Sequence, residues 1–190
     1  AGTRATRSGL ADWKPGDPVD EAAVLEALAS RDLYECYDAC ALAGRMRIKQ
    51  AAGPMARMLG PGEALAPVPA WALGRIGTDE AVAPLERELR DAAGRMLDGR
   101  DGFAPDLPYL TELADALGRN RRRGSVGDLL AILDMTKSVP LKAAICGALS
   151  RIGDRRRAVL RALESIVDDA TAPPELKLQA ARSEERRVGK

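Results

Sequence analysis

Arginine is the one chemically useful residue that recurs with a pattern. Arg45 and Arg47, Arg75, Arg119 with Arg121, Arg122 and Arg123, and Arg151 with Arg155, Arg156 and Arg157 fall at comparable places along the chain. A guanidinium is a planar, permanently charged fork that matches a carboxylate or a phosphate. Stacked along one edge, these groups would form a ridge able to grip an acidic protein segment or a phosphate backbone. The alternative is that each arginine pairs with a neighbouring Asp or Glu and keeps the edge soluble, since surface pairs are common and individually weak. Arg122 and Arg156 are the positions at which charge reversal would separate the two readings.

Other chemistry is thin. The chain has no histidine, which removes Ser–His and Cys–His dyads and any His–Glu metal cage. No Gly-x-x-x-x-Gly-Lys-Ser/Thr stretch is present to cradle phosphate. Carboxylates are plentiful but scattered, so no pair stands out as acid and base. Cys36 and Cys40 lie four apart on an expected helix starting near Asp32 and share a face, a placement that rarely satisfies disulfide geometry. A metal site there needs further soft ligands. These two thiols and Cys146 read as buried small hydrophobes. The expectation is a non-catalytic protein with no cofactor and no metal.

The elements that must carry the arginines are short helices. Ala72, Leu73 and Ile76 follow the i, i+3, i+4 rule, and Gly77 stands where a helix commonly ends. Thr78 or Asp79 then caps a second helix with Val82, Leu85 and Leu89 on one face and charges on the other. Neither helix is stable alone, because each is short and exposes an apolar stripe. Leu73-Gly74-Arg75-Ile76-Gly77 has weaker copies at Leu42-Ala43-Gly44-Arg45-Met46, Leu117-Gly118-Arg119 and Leu149-Ser150-Arg151-Ile152-Gly153. A second apolar helix follows each, over 51–59, 81–97, 126–133 and 158–167. Units of this size that cannot bury their own faces signal a solenoid.

The stretch Ala-Leu-Gly-Arg-Ile-Gly-Thr-Asp-Glu-Ala-Val-Ala-Pro-Leu resembles the HEAT-like helical repeat in its short bacterial form, the phycobilisome-lyase type. The resemblance implies an all-α fold, an α-solenoid of about four to five stacked helical hairpins. It says almost nothing about function, because the shared residues are packing and turn residues.

Residues 1–16 read as a tail or linker in which Trp13 packs on the first helix, and 17–181 as the repeat domain. In that domain Ala22 to Ala29 form the first helix, and Leu33, Tyr37, Cys40, Ala41 and Gly44 the buried face of the next. Pro67 and Pro69 crowd the third unit, whose first helix is expected to start late or kink. The loop 98–106, carrying Phe103, is an insertion of the kind that often sits on a binding edge. Its acidic pair is out of register with a calcium loop.

Aligning Leu178 with Leu141 puts Arg182 and Arg186 at the core positions of Ile145 and Leu149, which no packed helix favours. Residues 182–190 also resemble a translated sequencing adapter and are set apart as a non-native tail. Formal charge is 29 basic against 28 acidic residues; without that tail it is 25 against 26. A nearly neutral chain with no long apolar run argues against a nucleic-acid binder and against a membrane span.

The leading expectation is therefore a cytoplasmic interaction scaffold, a monomer or part of a larger array. Its second helices would offer Arg57, Glu86 and Arg90 to a protein with an acidic segment, beside the arginine turns. The alternative implied by the resemblance is a phycobilin-lyase-like subunit that handles a chromophore. Aromatics at 3% weigh against that, since no clustered aromatic pocket is expected. DNA handling, as in HEAT-like alkylation-repair glycosylases, ranks below both.

Overall fold

Helices begin where the sequence supplies an oxygen to cap them. Asp20, Asp32, Thr78, Asp106 and Ser138 each accept a backbone N–H of the following first turn, filling donors that have no intrahelical acceptor. The computed structural model describes residues 13–14, 18–98 and 106–188, with side chains as far as Ser183, and among these every regular element is helical. In order they are α1 (Glu21–Ala27), α2 (Leu33–Met46), α3 (Ala52–Ala56), α4 (Pro67–Ile76), α5 (Asp79–Leu97), α6 (Leu107–Arg119), α7 (Val126–Met135), α8 (Val139–Ile152), α9 (Arg157–Asp168) and α10 (Pro174–Val188). Single 3-10 turns at Lys49–Ala51 and Arg123–Ser125 lead into α3 and α7.

The helices stack in two rows, an α-solenoid of helical hairpins. The first row runs α2, α4, α6, α8, α10, and the second runs α3, α5, α7. α1 leans on α2, and α9 lies against α10. Between the rows runs one continuous apolar layer, with Val24, Met55, Leu73, Leu85, Leu113, Leu117, Leu129, Leu149 and Leu163 all inaccessible. Partly buried Trp13 packs against it.

First-row helices touch backbone to backbone. A methyl group added at Gly74 would stand 2.5 Å from Ala116 Cβ, and one at Gly118 would stand 2.6 Å from Ala148 Cα. Glycine is what permits those crossings. The chain then turns out of each first helix through a left-handed residue: Arg47, Gly77, Arg121 and Gly153 all have positive φ. Each lies three residues past the small anchor at 44, 74, 118 or 150. Glycine takes that conformation freely, whereas arginine pays on the order of 1 kcal/mol for it.

Four local expectations need correction. α4 starts at Pro67, neither late nor broken, because both prolines fall in its first turn, where their missing donors have no acceptor to lose. In α2 the buried face is Cys36, Ala39, Cys40 and Ala43, while Leu33 is 60% and Tyr37 47% exposed. The short α1 leaves that side of α2 uncovered. The helix expected over 51–59 is reduced to α3 and a 3-10 turn, with Gly53 and Pro54 inside it and the Gly60-Pro61-Gly62 break beyond. In α10 the buried positions are Leu176, Ala180 and Ser183, which repeat the spacing of Leu141, Ile145 and Ala148. Leu178 therefore does not match Leu141, and Arg182 is exposed rather than inserted in the core. Ser183 Oγ donates toward Cys146 O at 3.1 Å and Gln179 O at 2.7 Å, sealing α10 onto α8. The expected insertion loop with Phe103 falls in 99–105, outside the described residues.

Candidate functional site

The arginine pattern resolves into two sets with different surroundings. Arg45, Arg75, Arg119 and Arg151 occupy the last turns of α2, α4, α6 and α8 and line the outer face of the first row. Two of them reach back over the preceding helix where it has no side chain. Arg119 Nη2 lies 3.3 Å from the position a Cβ on Gly74 would take, and Arg151 Nε lies 3.0 Å from the equivalent point on Gly118. Arg151 also donates to Asp115 of α6. This set is a ladder of charge running between repeats.

The second set belongs to the inter-helix turns. Arg122 bridges to the preceding repeat, 2.7 Å from Asp79 and 3.3 Å from Glu86. Arg156 folds back on Asp154, its Nε 2.9 and 3.0 Å from the two carboxylate oxygens. The two arginines that charge alone would select for reversal are thus the ones that the turns use internally. Arg121 and Arg157 are exposed and make no ion pair among the described residues. Arg123 and Arg155, also exposed, share with Gly153, Asp154 and Arg156 an open hollow between successive turns. Of the residues expected on the second helices, Glu86 is held by Arg122, Arg90 lies 3.9 Å from Asp128 of α7, and Arg57 is exposed at the end of α3.

Hydrogen bonding from Arg156 and its positive charge hold the Asp154 carboxyl below the usual carboxylate range, against the effect of burial. A carboxyl depressed in the folded state adds stability above its unfolded pKa and loses it as pH falls through the folded one. Wild-type protein should therefore lose more stability than Asp154→Asn as pH drops below about 4. Acid titrations followed by circular dichroism check this; parallel curves would contradict it.

A different feature is invisible to spacing within one helix. Tyr37, Ala41 and Arg45 form a stripe along α2, facing Pro67, Val68 and Trp71 of α4 and Glu112 of α6, around a cleft of about 240 Å³. Gly44 makes it possible: Trp71 Cζ3 lies 2.8 Å from where a Cβ on Gly44 would be, so the indole crosses α2 at close range. Arg75 Cζ sits 5.8 Å from the centre of the Trp71 ring, a cation–π contact that fixes its plane. Glu112 Oε2 is buried and accepts no hydrogen bond among the described residues. Burial pushes the Glu112 carboxyl above its ordinary range and Asp115 adds to that, while Arg119 opposes it. Two aromatics, an arginine and a carboxylate with one unsatisfied oxygen thus line one depression. The expectation that no aromatic pocket exists is overturned, because scarce aromatics were gathered from different repeats.

The cysteines supply no nucleophile. None of the three forms a disulfide among the described residues, all are buried, and burial pushes the Cys40 thiol up to about 12. Among the described residues no three His, Cys, Asp or Glu side chains group closely enough to hold a metal. No helix among them is long and apolar enough to cross a membrane.

No protein family and no curated protein sequence matches this chain. Its fold does match a solved structure, that of the complex of CpcE and CpcF of phycocyanin lyase from Nostoc sp. PCC7120. The likeness has a TM-score of 0.67 at 18% identity and covers 93% of this chain and 68% of the other. At that identity the likeness concerns the fold, a HEAT-like helical stack that in the neighbour belongs to a two-protein complex.

Proposed function

We propose that this protein is a helical-repeat subunit that handles a bilin, an open-chain tetrapyrrole, together with a partner protein. The observation that carries this reading is the cleft of Tyr37, Trp71, Arg45 and Glu112 on the first row. A planar conjugated ring stacks on an aromatic wall, a propionate pairs with a guanidinium, and a pyrrole N–H seeks a carboxylate. The fold likeness to a phycocyanin lyase complex supports the same ligand class. At about 240 Å³ the cleft falls below the ~300–1,000 Å³ usual for complete small-molecule sites. It would hold part of a tetrapyrrole, leaving the rest to the partner. Its groups bind and orient; none is placed as an activated nucleophile.

Titrating the purified protein with biliverdin and following the visible absorption bands tests the reading. Saturable binding is expected, weakened about tenfold or more by Trp71→Ala, since one lost aromatic stack plus its buried area is worth roughly 1.4 kcal/mol or more. Spectra identical to free biliverdin at every ratio would end this reading.

A second reading, a scaffold docking an acidic protein segment, is favoured by Arg121 and Arg157, two exposed guanidiniums on stacked turns without an ion pair among the described residues. The readings are compatible, because turn edge and cleft use different surfaces.

A further inference from the structure

Glu112 is anomalous for a residue on a packed helix. Its Oε2 is shielded from water, yet no donor reaches it among the described residues. A buried acceptor without a partner costs on the order of 1–3 kcal/mol. The neighbouring cations do not relieve it: Arg151 is engaged by Asp115, and Arg75 lies over Trp71. Arg119 is near enough to act on Glu112 through its charge, but makes no hydrogen bond to Oε2. The cost is therefore not recovered among the described residues, and Glu112 is one of the residues lining the cleft walled by Trp71 and Tyr37. Arg45, on the same cleft, is the only cation in its lining among the described residues.

Resting on the bilin reading above, we infer that Glu112 and Arg45 are the two polar anchors of the cleft. Glu112 accepts an N–H of a pyrrole ring stacked against Trp71, and Arg45 pairs with a carboxylate of the same ligand. The class recognised is a planar N–H heteroaromatic that carries an acidic side arm. Neither contact alone defines it. A neutral aromatic hydrocarbon would leave Glu112 without a donor and Arg45 without a counter-ion.

Binding of biliverdin and of its dimethyl ester to wild type, Glu112→Gln and Arg45→Gln tests the assignment, with thermal melts run in parallel. Glu112→Gln should weaken both ligands about tenfold or more, as loss of a charge-assisted hydrogen bond does. Its melting temperature should stay level or rise, because the fold disfavours the charged carboxylate that the amide replaces. A merely structural Glu112 would instead lower the melt. Arg45→Gln should erase the preference for the free acid over the ester and leave ester binding unchanged. Biliverdin bound equally by Glu112→Gln and wild type overturns the anchor while the bilin reading stands. Failure of wild type to bind either ligand overturns both.

Discussion

Gly74→Ala is expected to destabilise the protein, against the usual direction for a glycine inside a helix. Alanine should gain about 1 kcal/mol from helix propensity. The added methyl, however, meets Ala116 Cβ at 2.5 Å and Ala116 Cα at 2.9 Å. One of those atoms is backbone, so α4 and α6 must separate rather than a side chain rotate. Overpacking of that kind costs about 1–3 kcal/mol, and the steric term wins. Gly74→Val should fall at or beyond the upper end and lose the cooperative transition. Restoring the gap with Gly74→Ala/Ala116→Gly should recover most of the loss, a coupling that denaturant titration of the four-variant cycle measures. An additive cycle would mean that the two helices do not touch there. A methyl added at Gly118 would stand 2.6 Å from Ala148 Cα and 2.8 Å from Ala148 Cβ, so Gly118→Ala should also destabilise, and Ala148→Gly should recover less of the loss there.

Leu117→Ala is the second large effect. Leu117 is inaccessible in α6, the middle of the first row, with α4 and α8 on either side and α5 beside it. No neighbour can collapse into the space, so the loss should be about 3–5 kcal/mol, within the range for buried leucine truncation. A domain of this kind has about 5–15 kcal/mol in all, so the melt should drop by roughly 5–15 °C. Leu163→Ala should cost less, although Leu163 is equally buried. α9 lies beside a groove of about 410 Å³ lined by Leu130, Leu133, Ala162 and Ile166, and its backbone is free to relax into that space. Equal denaturation midpoints for the two variants would contradict this account of the groove.

The mutations divide by role. Gly74 and Leu117 act on the stack, whereas Trp71, Arg45 and Glu112 act on what lies against it. Glu112→Gln is the informative member of the second group, because it should weaken binding while leaving the fold at least as stable. Such a divergence is expected where a residue is held for a ligand rather than for packing.

Local signals in the chain determined the helices and their stacking. Apolar residues at i, i+3 and i+4, capping oxygens at Thr78 and Asp32, and the returning Leu-small-Arg motif all act within a few residues. They specify helical pairs that must find partners. The small residue at 44, 74 and 118 also marked where neighbouring helices would cross. The arginines were visible, but not their allegiance. Whether Arg122 faces solvent or binds Asp79 depends on residues 43 positions apart, and nothing in the spacing reports that distance.

Tertiary structure alone decided the cleft. Tyr37, Trp71 and Glu112 come from three repeats, and each looks unremarkable on its own helix. They converge because Gly44 lets an indole lie across α2 and because first-row helices stack at glycine contact. Burial of one carboxylate oxygen is likewise a property of that convergence. Helix formation is read from neighbours in sequence; a binding depression arises from neighbours in space, and only the packing of the rows brings those together.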